Sequence, residues 1–89
     1  MNVLIIEDEK PAARRLSRLL SELEIEVSNM LHSVEDSIAW FQDNPHPDLI
    51  FLDIQLSDGL SFEIFDEIEV KSAIIFTTAY DEYALQAFK

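Results

Sequence analysis

With 89 residues, the chain is limited to one domain with a small core, and its 48% hydrophobic content separates it from disordered sequences. Asp and Glu number 18 against 6 Lys and Arg, a net charge of −12 that argues against direct nucleic-acid binding and favours a dication or a basic partner surface. The absence of cysteine excludes disulfides and thiolate metal sites, and no apolar run is long enough for a membrane span or a signal-peptide core, so a cytoplasmic protein is expected.

No internal repeat or Gly/Ser linker interrupts the chain, whose sole glycine is Gly59, and residues 1–89 read as one domain. Short apolar runs alternate with stretches of helical period, the pattern of βα units around a parallel sheet. Val3-Leu4-Ile5-Ile6 is continuously apolar and ends in acids, as a central strand covered on both faces should be. Ala12, Ala13, Leu16, Leu19, Leu20 and Leu23 then recur at helical spacing, predicting an amphipathic helix that starts near Pro11, a residue suited to a first helical position. Alternation of Ile25, Val27 and Leu31 with polar neighbours predicts an edge strand.

Ser33 and Asp36 resemble a capping box, followed by the helical stripe Val34, Ile38 and Phe41 and by the helix-ending run Asn44-Pro45-His46-Pro47-Asp48. Leu49-Ile50-Phe51-Leu52 is a second central strand that ends on Asp53. A loop containing Gly59 leads to a short helix around Phe62 to Glu69, then to a fourth strand, Ala73-Ile74-Ile75-Phe76, and a last helix from Asp81. Trp40 and the other stripe residues read as core or cover, His32 and His46 as solvated side chains, and Asp66, Glu67 and Glu69 as a solvated helix face.

In an open parallel α/β sheet, functional groups gather at the C-terminal ends of the strands. Glu7 and Asp8 stand there after the first strand, Asp53 after the third, and Thr77 and Thr78 after the fourth. If the first and third strands are neighbours, three carboxylates converge. A like-charged pair at ~4 Å costs roughly 1 kcal/mol in water and ~4 kcal/mol at an effective dielectric of 20, so the cluster calls for a counter-ion or a shared proton. An all-oxygen acidic pocket selects a hard cation, and Mg2+ fits best because it takes one or two carboxylates and is completed by water and phosphate oxygens.

Three segments carry a family resemblance: Ile5-Ile6-Glu7-Asp8-Glu9, Asp48-Leu49-Ile50-Phe51-Leu52-Asp53-Ile54-Gln55-Leu56, and Phe76-Thr77-Thr78-Ala79-Tyr80. They look like the acidic-pair, phosphoacceptor and hydroxyl motifs of response-regulator receiver domains from two-component signalling. They occur in the right order, each at a strand end, and the match runs over the whole chain. Residues 78–88 further resemble the LytR/AlgR group, whose receivers usually precede a LytTR DNA-binding domain. The resemblance implies a flavodoxin-like doubly wound sheet of order 2-1-3-4-5. It implies Asp53 as phosphoacceptor, Asp8 as a direct magnesium ligand, Glu7 as a ligand acting largely through water and the Gln55 backbone carbonyl as the remaining protein ligand. Thr78 would hydrogen-bond the phosphoryl group and move on activation. The partner would be a histidine kinase or phosphotransfer protein, and Arg14, Arg15 and Arg18 lie where receivers face that donor; salt bridging or solubility is the plainer account of these cations.

Two departures stand out. Ser57 and Ser61 occupy positions where receivers commonly have proline and glycine, with Gly59 offering turn flexibility at a shifted place. The family's fifth strand, its lysine and its last helix have no counterpart, so the sequence reads as a receiver incomplete at its C-terminus. The β-branched fourth strand would then present an unpaired edge, and self-association is expected. Other functions compete. An acid-cluster phosphatase would use Asp53 as nucleophile, but such enzymes carry an acid two residues later, where Gln55 stands. A flavodoxin-like cofactor protein would need a phosphate loop after the first strand, where Glu7-Asp8-Glu9 repel phosphate. A receiver-like module acting only through protein contacts is the third. A self-modifying switch rather than a turnover enzyme is the favoured reading.

Overall fold

The computed structural model describes residues 1–77. In chain order these form β1 (Val3–Ile6), α1 (Lys10–Glu22), β2 (Val27–Leu31), α2 (Val34–Asp43), β3 (Leu49–Leu52), β4 (Gln55–Leu56), β5 (Gly59–Leu60), α3 (Phe62–Glu67) and β6 (Ala73–Phe76). The main sheet is parallel with order β2-β1-β3-β6, and β4 and β5 form a separate antiparallel hairpin. Read without the hairpin, this is the 2-1-3-4 part of the flavodoxin-like order expected from the sequence.

The strand interiors follow from their composition. Every residue of β1 is buried, as a strand flanked on both sides and covered on both faces requires. Its side chains alternate between two cores. Leu4 and Ile6 join Ile50, Leu52, Val34, Phe41 and Ile64 beneath α2 and α3, whereas Ile5 joins Ala13 and Leu20 beneath α1. Trp40 packs against the first core and meets Phe41 edge to face at 5.2 Å. Leu19 and Leu23, counted on the apolar stripe of α1 from sequence, are 48% and 70% exposed.

Three local features differ from the sequence expectation. The segment expected to be a loop around Gly59 is the β4–β5 hairpin, with a two-residue Ser57-Asp58 connection and Gly59 at φ 149°, a region that L side chains rarely adopt. The Ser33–Asp36 pair forms the capping bond from the Asp36 N–H to the Ser33 hydroxyl at 3.0 Å, but the two N–H groups before it are held by Asp58. The histidines are half-buried rather than solvated: the His46 ring stands edge to face with Phe41 at 5.1 Å, and His32 bonds to the main chain next to the strand tips.

Helix α1 ends without glycine. Glu24 takes φ 62° while its N–H donates to the Ser21 carbonyl and the Ile25 N–H donates to the Leu20 carbonyl, with Leu20 and Ile25 in the same core. This is the Schellman arrangement with a glutamate in the left-handed position.

Candidate functional site

The residues that follow β1, β3 and β6 are each stitched to the end of the neighbouring strand. The Glu7 N–H donates to the Leu31 carbonyl at 2.9 Å, the Asp53 N–H to the Ile6 carbonyl at 3.0 Å and the Thr77 N–H to the Leu52 carbonyl at 3.0 Å. Parallel registry therefore continues one residue past the apolar bodies and brings the polar tips level with one another. His32 closes the same row from the β2 side, its Nδ1 2.8 Å from the Glu7 carbonyl oxygen.

Glu7, Asp8 and Asp53 converge as the spacing predicted: one oxygen from each lies within 4.8 Å of the others, and all three side chains are half-buried. They line a cavity of about 350 Å³ with Glu9, Gln55, Leu56 and Ser57. Burial, then hydrogen bonds to the Asp53 and Asp8 carboxyls, pushes Glu7 up to about 8 from its ordinary value, against a smaller opposing bond from the Glu9 N–H. The cluster is thus short of positive charge. Its donors are all oxygen, and a hard divalent cation at this position would replace the proton that Glu7 otherwise retains. The residues present fit magnesium.

Gln55 lines the same cavity and is exposed at the start of the hairpin, its N–H 3.4 Å from Asp53 Oδ1. Arg15 lies in a neighbouring groove with Glu7, Ala12, Leu16, Leu19 and Thr77, so α1 delivers one of the three predicted cations to the flank of the acidic site. Arg14 and Arg18 are exposed on the same helix. Thr78, the predicted hydroxyl residue, and the predicted helix from Asp81 lie outside the described residues.

Sequence reasoning missed two residues around the site. His32 binds the Glu7 main chain from 25 positions away, and Asp58 bonds Val34 and Glu35 from 24 and 23 positions away. Neither contact has a local pattern; only Asp58-Gly59 as a turn dipeptide carried any signal.

Residues 3–89 match the response regulator receiver domain family, and the chain belongs to it. Its relatives include the sensory transduction protein LytT of Bacillus anthracis, 43% identical over all of this chain and 37% of that protein. The positive alginate biosynthesis regulatory protein of Pseudomonas aeruginosa is 40% identical over all of this chain and 38% of its own length. These are regulators of the LytR/AlgR group that the C-terminal residues resemble, and the chain spans little more than a third of each. Among solved structures, the response regulator PhyR of Brucella abortus superposes with a TM-score of 0.80 at 27% identity, covering 99% of this chain and 37% of that one. The chain is therefore a receiver domain of two-component signalling with a flavodoxin-like fold.

Proposed function

We propose that Asp53 is the phosphoacceptor of this receiver and that the acidic tips of β1 and β3 hold the magnesium ion it works with. The observation that carries this reading is the convergence of Glu7, Asp8 and Asp53 at the C-terminal ends of two adjacent parallel strands. Asp8, Asp53 and the Gln55 backbone carbonyl would ligate the ion directly, and Glu7 largely through water. Bound there, magnesium supplies charge neutralisation for the transferring phosphoryl group.

The chain's own residues do the rest. An Asp53 carboxylate oxygen attacks the phosphorus of a phosphohistidine on a kinase or phosphotransfer protein. The new O–P bond forms as the N–P bond breaks, leaving the imidazole with the electron pair and Asp53 as an acyl phosphate. Thr78 hydrogen-bonds the phosphoryl group and relays its presence to an effector, a LytTR DNA-binding domain in the group to which the relatives belong. Arg14, Arg15 and Arg18 offer the acidic donor protein a basic patch on α1. The product is a modified state of the domain itself, which makes this a cytoplasmic switch and not a turnover enzyme.

The test is phosphorylation of the protein that carries this domain, with a small acyl phosphodonor and magnesium, mapped by mass spectrometry. Labelling should fall on Asp53 and vanish in Asp53→Asn. Equal labelling of that variant would overturn the assignment. Charge reversal at Arg14, Arg15 and Arg18 should slow transfer from a cognate kinase while sparing the small donor.

A further inference from the structure

The geometry points to Asp58 as a positioning residue that ties the loop carrying the Gln55 carbonyl to the N-terminus of α2, and so sets the affinity of the site for magnesium. The inference rests on the reading of the acidic site given above. The first four N–H groups of a helix have no partner inside it, and three of them here are those of Val34, Glu35 and Asp36. Here the Val34 N–H donates to Asp58 Oδ1 at 2.8 Å, the Glu35 N–H to Asp58 Oδ2 at 3.0 Å and the Asp36 N–H to Ser33 Oγ at 3.0 Å, before the helical ladder starts with Ser37 to the Ser33 carbonyl. Two of the three are thus met by one carboxylate from another part of the chain, at the end of the helix where a negative charge is favoured. The same two bonds hold the Asp58 carboxyl below its ordinary value, so it stays ionised.

On the other side of this tether lies the site. Gln55 and Ser57 line the acidic cavity, and Asp58 is three residues beyond Gln55 in the turn of the β4–β5 hairpin. The hairpin is only two residue pairs long, and two-stranded ribbons of that size do not hold themselves. Its base is fixed by the Ser61 N–H to the Ile54 carbonyl at 2.8 Å and by burial of Ile54 and Leu56. Its far side is braced by the Leu60 N–H to Glu63 Oε2 at 2.8 Å. Leu56 packs with Val34 and Phe41 in the core, and the Asp58 carboxylate adds the polar tie from the turn itself to the start of α2. Without it, the Ser57-Asp58 turn loses its bonds to α2 and keeps only the anchors at its base, and a main-chain ligand two residues before the turn gains freedom with it.

Ser33 provides the matched control, since it caps the same helix through bonds to Asp36 and Ser37 within α2. In magnesium titrations of the purified chain, Asp58→Ala should weaken binding on the order of tenfold, the scale seen when the support of a metal ligand is removed. Asp58→Asn, which keeps one acceptor oxygen, should fall between it and wild type. Ser33→Ala should bind as wild type does, although both alanine variants lower thermal stability. Wild-type affinity in Asp58→Ala, or an equal loss in Ser33→Ala, would overturn the proposal. Amide hydrogen exchange at residues 57–60 without metal tests the tether by itself. It should accelerate in Asp58→Ala and not in Ser33→Ala, and unchanged exchange would also overturn it. A wild-type chain that binds no magnesium, or an Asp8→Asn chain that binds it as well, would instead overturn the reading of the acidic site, with the exchange result still deciding the tether.

Discussion

The bodies and the tips of β1 and β3 are adjacent in sequence and opposite in physical character. Val3 to Ile6, with Ile50 and Leu52, are at most 1% exposed and supply the core, whereas Glu7, Asp8 and Asp53, one residue or two further on, crowd carboxylates into a shared half-buried pocket. The bodies stabilise the fold by removing apolar surface from water. The tips oppose it, because ionising them together costs free energy unless a cation intervenes. Stability and chemistry are thus segregated along the same strands, and the hydrogen bonds that continue the sheet one residue past each body are what force the tips together.

The largest effect that would sharpen this contrast lies in the bodies. Ile50→Ala should destabilise the chain by about 2–5 kcal/mol, the range for truncating a fully buried isoleucine. Urea unfolding followed through Trp40 fluorescence measures it. A loss under about 1 kcal/mol would mean that β3 is less tightly packed than its burial implies.

At the tips the sign should reverse. Glu7→Gln replaces a carboxyl that must take up a proton on folding at neutral pH, and without metal it should stabilise the chain there by about 1 kcal/mol, the equivalent of one pKa unit after discounting for the partly open site. Because the folded state raises Glu7 to about 8, the contribution of its protonated form is complete below the ordinary carboxylate range and is lost as pH rises toward 8. The advantage of glutamine should therefore grow across that window. Thermal unfolding in chelator at a series of pH values checks it, and a destabilised Glu7→Gln at every pH would break the contrast.

Two effects of similar size lie outside the strands. Asp58 is depressed by the Glu35 and Val34 N–H groups, so its contribution is present above the unfolded aspartate value near 4 and is lost as pH falls through the folded one. The stability difference between wild type and Asp58→Ala, about 0.5–2 kcal/mol for a lost helix cap, should be flat at neutral pH and shrink below about pH 4. Glu24→Gly should raise stability by roughly 1 kcal/mol by relieving a left-handed glutamate at the end of α1, read as a shift in the unfolding midpoint.

Much of this architecture was legible because its signals are local. A parallel strand covered on both faces must be a continuous apolar run, and Val3 to Ile6 and Leu49 to Leu52 are such runs. A residue directly after one must lie at its C-terminal end, which is enough to place Glu7, Asp8 and Asp53. The convergence itself needed β1 and β3 to be neighbours, which the sequence posed as a condition and the sheet order supplies. The hairpin was read as a loop because two-residue strands leave too few positions for alternation to register. The roles of Asp58 and His32 were illegible for a different reason: each acts on main-chain groups more than 20 residues away, and backbone donors and acceptors have no sequence signature. The end of α1 carried no mark because a glutamate fills the place usually taken by glycine.

The central claim is that the tips of β1 and β3 form one cation site around Asp53, and the measurement that tests it most directly is the thermal unfolding midpoint as a function of magnesium concentration. A ligand that binds only the folded state adds RT ln(1 + [L]/Kd) to its stability and so raises the midpoint as its concentration passes Kd. Wild type should climb steadily with magnesium, while Asp8→Asn and Asp53→Asn, unfolding cooperatively, should show little or no response. A wild-type midpoint indifferent to magnesium, or the same climb in all three proteins, would contradict the account.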